Sequence, residues 1–128
     1  MLQTIAGVLA STPVENATIP VDNDDSRQRY TGFALANPGD TPVTVRIVPV
    51  DRNGTVIPGL ALSRTLAKGE QVATFLHQVW PGAPALSFQG SVVLIAPAGR
   101  SFVVVALTQY QGLISATPVI PSKAPTVN

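Results

Sequence analysis

The chain has 128 residues and a mass of 13.3 kDa, enough for one domain with a buried core and little beyond it. Only 12% of the residues are charged, eight Lys and Arg stand against seven Asp and Glu, and there is one histidine and no cysteine. These counts exclude a disulfide scaffold, thiol catalysis and a histidine-rich zinc site, and they offer nucleic acid no basic stripe to hold.

Residues 1–14 form an apolar segment, read as an extra strand, a short helix or a leader. Its stretch Leu2–Leu9 is interrupted by Gln3 and Thr4 and falls far short of the ~20 residues that span a bilayer. The first basic residue is Arg27, so this stretch lacks the basic start of a signal peptide. Residues 15–121 read as the β domain, and 122–128 as a polar tail or linker. Ala17–Val21 suits an edge strand because Pro20 has no N–H to give a central ladder. Asp22–Gln28 reads as a polar loop, and Arg29–Asn37 as a strand ending at a Pro38-Gly39-Asp40 turn. In Pro42–Val50, Val43, Val45 and Ile47 alternate with Thr44 and Arg46, the period of a half-buried strand. Asn53-Gly54 predicts a hairpin to Thr55–Ile57. Leu60, Leu62 and Leu66 mark a strand around Ser63 and Arg64, followed by the turn Ala67–Glu70, the strand Gln71–Leu76, and one helical turn at His77–Trp80 stopped by Pro81-Gly82.

Gly90–Ala96 and Phe102–Leu107 are apolar without alternation, so both faces of each strand should be covered. Leu113–Ile120 supplies a last strand. Short β runs punctuated by Gly, Pro, Asn and Asp predict an all-β fold, an antiparallel Ig-like sandwich of seven or eight strands, with a closed β-barrel as the alternative.

Thr31-Gly32-Phe33-Ala34-Leu35-Ala36-Asn37-Pro38-Gly39, the hairpin Asp51-Arg52-Asn53-Gly54, Leu66-Ala67-Lys68-Gly69-Glu70, Phe75-Leu76, Trp80-Pro81-Gly82 and Phe88-Gln89-Gly90-Ser91 follow one another in a fixed order. Together with the run to Ala106-Leu107, this series resembles uncharacterised Ig-like β-sandwich modules of large secreted and cell-surface proteins of environmental bacteria. The resemblance covers roughly residues 15 to 121. It implies an extracellular, secreted or cell-surface module that is non-catalytic and serves as spacer, adhesin or assembly unit, and it carries over no active-site residue. Trp80 departs from it, and Leu2–Leu9 lies outside it.

Chemistry is sparse. His77 has no nucleophile motif beside it, and Ser63, Ser87, Ser91 and Ser101 lack a Gly-x-Ser-x-Gly elbow. Two well-separated carboxylates such as Glu15 and Glu70 could in principle make a glycosidase pair, but nothing in the sequence ties them together. A hydrolase is therefore the least favoured reading, and no cofactor is expected. Asp22, Asp24 and Asp25 offer oxygen ligands to Ca²⁺ but lack the Gly and distal Glu of an EF-hand loop, so a solvated polar loop is favoured and no metal site is assigned. Trp80, Tyr110 and Tyr30, with Phe88, could make a platform for sugar rings, although Trp80 suits an end plug of the core better. The favoured function is association with other copies or neighbouring domains through apolar faces and sheet edges, in the manner of strand donation. Its candidate residues are Leu2, Ile5, Val8, Leu9, Val103 and Val105. Polysaccharide is the alternative partner; neither nucleic acid nor a membrane span is expected.

Overall fold

The computed structural model describes residues 13–57, 59–80 and 87–118. Within them the chain is all-β: β1 (Asn16–Asp24), β2 (Arg29–Ala36), β3 (Val43–Asp51), β4 (Leu62–Leu66), β5 (Gln71–Phe75), β6 (Ser87–Ile95), β7 (Val103–Tyr110) and β8 (Leu113–Pro118). One helical turn, α1 (Leu76–Val79), follows β5. Every pairing among these strands is antiparallel, and they join in one sheet of order β4-β3-β6-β1-β2-β7-β8, with β5 on the other side of β2.

The sheet folds at one corner. β1 pairs with β6 along its whole length but meets β2 only at Asp24↔Arg29. Past that corner β2 takes β5 and β7 as neighbours. An arm β4-β3-β6-β1 therefore faces an arm β5-β2-β7-β8, and the whole is curled into a half-barrel. The period-2 alternation of each strand decides what lies between the arms. Ile19, Val21, Val45, Ile47, Val92 and Leu94 from the first arm pack with Phe33, Leu35 and Val104 from the second in one buried cluster. Burying each such side chain stabilises the fold by roughly 1.5–3 kcal/mol. Antiparallel strands in about the expected number are present. The closed barrel does not form among the described strands, because β4 and β8 each have one partner and end the path.

Both apolar runs have two covered faces. On β6, Val92 and Leu94 enter the central cluster, while Val93 is buried on the outside with Val48 and Val50. On β7, Val104 points inward, while Val103, Val105 and Leu107 form an outer cluster with Ala34 and Ala36 of β2, against which Phe75 packs.

Three expectations need correction. Ala17–Val21 is not an edge strand: β1 lies between β6 and β2 in the sheet order, and Pro20 is tolerated there because β1 meets β2 at a single pair, away from Pro20. Asp22–Gln28 is not all loop: strand continues to Asp24, and a 3-10 turn occupies Asp25–Arg27. The cause is Asn23, fully buried, whose Oδ1 accepts the Thr31 N–H at 2.6 Å, while Thr31 Oγ1 accepts the Asp22 N–H at 3.1 Å. These side chains occupy backbone donors that the corner deprives of a ladder. Thr55–Ile57 is not a full strand either. It makes a bridge, Val50↔Val56, because Asp51 turns its carboxylate onto the Asn53 and Thr55 N–H groups and tightens the hairpin.

Two glycines and one asparagine set how neighbouring strands meet. A Cβ on Gly32 would sit 2.3 Å from the Thr74 carbonyl oxygen, and one on Gly90 would sit 2.2 Å from that of Val50. Only glycine lets β5 lie against β2, and β3 against β6, at those points. Asn37 is a buried latch: its side-chain amide donates to the carbonyls of Thr41 and Leu66 at 2.8 and 3.1 Å, and its Oδ1 accepts from Gly39 N–H at 3.0 Å.

Glu70 fixes the turn between β4 and β5. Its carboxylate accepts the Ala67 N–H at 2.8 Å and lies 3.4 Å from the Arg64 guanidinium. The Ala67 hydrogen bond, chiefly, and Arg64 hold its carboxyl below the ordinary 4.5. A carboxyl depressed in the folded state stabilises the fold fully above its ordinary pKa and ceases to as pH falls through the folded value. The melting temperature should therefore drop as the solution is acidified below pH 4.5. In Glu70→Gln the drop should be shallower, with a lower starting value at neutral pH, as followed by circular dichroism. Identical pH profiles for the two proteins would remove Glu70 from the account.

Candidate functional site

The half-barrel is open between β4 and β5. These strands are joined by the Ala67–Glu70 turn, yet β4 pairs with β3 and β5 with β2, so their facing edges diverge. A groove of about 520 Å³ lies there, floored by Phe33, Leu35 and Ile47 and walled by Leu62, Val72 and Val79. Its polar rim includes Arg64, Thr74 and Gln78. Gln78 Oε1 accepts the Phe75 N–H at 2.9 Å, so part of the β5 edge is already occupied. An apolar floor with this sparse rim suits an extended or apolar segment better than a reacting polar substrate.

A second depression, about 560 Å³, lies over Gly90 and is bordered by Asp22, Asp51, Arg52, Gln89 and Ser91. Its polar groups are partly engaged: Asp22 pairs with Arg29 at 3.4 Å, Gln89 Nε2 donates to the Asn23 carbonyl at 3.0 Å, and Asp51 caps its hairpin.

The sequence candidates fall into separate places. Trp80 is half-buried against the central cluster, and its Nε1 donates to the Leu60 carbonyl at 2.8 Å across one end of the open seam. Tyr30 stands beside His77, ring centroids 4.8 Å apart, and donates its hydroxyl to Asp25. That hydrogen bond, chiefly, raises the Tyr30 pKa. Tyr110 is 47% exposed, with the Arg29 guanidinium 5.9 Å from its ring centre. Tyr110 is paired with Arg29 and Tyr30 with Gln109, so the two tyrosines alternate onto opposite faces of the arm. The three aromatics do not line up as one platform.

His77 lies near the rings of Tyr30 and Phe75, centroids 4.8 and 6.0 Å away, and its Nδ1 has no hydrogen-bond partner among the described residues. Glu15 lies beside the start of β1, where its carbonyl accepts the Ala96 N–H, while Glu70 holds its own turn. The three aspartates are individually engaged. Asp24 accepts from the Ser26 hydroxyl at 2.6 Å, which chiefly lowers its pKa, Asp22 pairs with Arg29, and Asp25 takes the Tyr30 hydroxyl. Among the described residues no cluster of His, Cys, Asp or Glu is fit to hold a metal ion. Val103 and Val105 lie on the outer face of β7, buried in the outer cluster. Leu2, Ile5, Val8 and Leu9 lie outside the described residues.

Sequence reasoning placed a last strand at Leu113–Ile120 but did not single it out as an interface. β8 pairs with β7, and no other described strand takes its outer edge. Leu113 is 78% and Ile114 53% exposed. The signal was available in a charge-free strand placed after the last tight turn, at the end of the sheet. No helix among the described residues is long and apolar enough to cross a membrane.

No family model and no curated protein matches the chain. Among solved structures, the crystal structure of Thermotoga maritima 1070 is similar, with a TM-score of 0.58 at 12% identity over 88% of this chain and 97% of that one. A likeness at that identity is one of fold.

The placement of Trp80 gives a direct test. Trp80→Ala removes a packed indole and leaves the Leu60 carbonyl without its donor, and should cost about 2–4 kcal/mol of stability in a urea titration. Unchanged stability would contradict the end-plug role.

Proposed function

We propose that this chain is a non-catalytic structural and interaction module that associates with other copies through the open edges of its sheet. In this reading the two arms are the leaves of an Ig-like sandwich, as the resemblance to secreted and cell-surface modules implies, and the module works outside the cell. The observation that carries the association is the state of the edges. β8 ends the sheet with its large apolar side chains in solvent, and the apolar groove lies open between β4 and β5. Unpaired edges and exposed apolar side chains together favour adding a strand. The sugar-platform reading has less support, since Trp80 is committed to the core and the two tyrosines point to opposite faces.

Light scattering across about a hundredfold range of concentration tests the proposal, since association follows mass action. The mass should rise above 13.3 kDa in multiples as concentration increases, with larger assemblies visible by negative stain. A mass fixed at the monomer value throughout would overturn it.

A further inference from the structure

The two-residue turn between β7 and β8, Gln111-Gly112, has φ values of +50° and +88°. Positive φ at both positions defines the tight hairpin turn that matches the twist of its strands. Its flanking pair, Tyr110↔Leu113, is then the first hydrogen-bonded pair of the ladder. Antiparallel ladders alternate, so Leu113, Ser115 and Thr117 turn their N–H and C=O groups toward β7. Ile114 and Ala116 turn theirs the opposite way, to the outer edge. Two independent features agree with this phase. Pro118 falls at an outward position, where a missing N–H costs the β7 ladder nothing, and Gln111 N–H bonds Gln28 on the opposite side of β7.

The geometry points to β8 of a second copy as the partner of this edge, paired antiparallel about a two-fold axis through Ser115. The inference rests on the association reading above and names its edge and register. In that register Ile114 exchanges both backbone hydrogen bonds with the partner's Ala116, and Ala116 with the partner's Ile114. Ser115 meets its own copy in the closer, non-hydrogen-bonded pair, where Cα atoms approach to about 4.5 Å and a small side chain is needed. Leu113 comes into register with position 117 of the partner strand, and Ile114 comes opposite the partner's Ala116, so the exposed Ile114 side chain gains cover.

What favours a second copy is self-complementarity. A two-fold axis sets any charge in the strand near its own duplicate, and Leu113–Pro118 carries none. The other edges are guarded: Pro20 interrupts the donors of β1, Arg64 stands on β4 paired with Glu70, and Gln78 occupies the Phe75 N–H of β5. Pro118 ends the ladder after the matched pair, which limits the contact to this short register.

The chain has no cysteine, so a single introduced thiol reports its own contacts. Ser115→Cys in the full chain places two sulfurs across the axis within disulfide reach, whereas Thr65→Cys, on exposed β4, does not. Under air oxidation at a concentration where the parent is oligomeric, Ser115→Cys should give a covalent dimer on a non-reducing gel, at least about tenfold faster than Thr65→Cys. Ser115→Lys, which sets two ammonium groups face to face, should shift the association to at least about tenfold higher concentration with the melting temperature of the monomer kept. Equal cross-linking of the two cysteine variants, or no cross-link from Ser115→Cys while light scattering records oligomers, would overturn the β8 register and leave the association reading standing. A parent chain that stays monomeric at every concentration would overturn both.

Discussion

The corner between β1 and β2 governs the shape of this molecule. Two consecutive strands that form a flat hairpin would share a ladder along their length, and here they share one residue pair. The backbone groups released at that point are taken up by side chains, Asn23 Oδ1 holding the Thr31 N–H and Thr31 Oγ1 holding the Asp22 N–H. Buried N–H groups without partners would each cost about 1–3 kcal/mol, so the sheet can turn out of plane only where such substitutes exist. Once it turns, β2 is free to pair with β5 and β7, and the inward residues of two arms meet in a single core.

The opposite end is held by Asn37, which binds the end of β2 to the Thr41 loop and to the end of β4. Arg100 adds a second tie, its guanidinium reaching the Thr41 and Pro42 carbonyls at 3.2 and 2.7 Å. Val14 bridges to Phe102, so the chain entering β1 also touches the start of β7. The curl is thus fixed at the corner and at its ends, while the outer side of β8 keeps a free edge and the flank between β4 and β5 keeps an open groove whose edges carry Arg64 and Gln78. The same constraint that makes the core leaves the edges available to a partner.

Much of this was legible in the sequence. Alternation at Val43, Val45 and Ile47 gave the inward face of β3, and the unbroken runs in β6 and β7 gave strands covered on both faces. What escaped was non-local. Asn23 reads as loop in a run of aspartates, and its contact with Thr31, on the next strand, is what goes with its burial as a strand residue. Gly32 and Gly90 read as motif residues, but their requirement comes from neighbouring strands. The candidate interface was sought in the most apolar strand, β7, whose outward valines are buried, whereas β8 is exposed because it lies last in the sheet order. Composition cannot reveal that order. Aromatic type alone suggested a platform, and register separated Tyr30 from Tyr110.

Amide hydrogen exchange measured at low and high protein concentration tests the central claim most directly, that the corner closes a core and leaves sheet edges free for a second copy. The account predicts strong protection in β6 and β2 at both concentrations, with the Ile114 and Ala116 amides exchanging rapidly in dilute solution and becoming protected as concentration rises. Rapid exchange at Ile114 and Ala116 at every concentration, or protection there already complete in the dilute monomer, would contradict it.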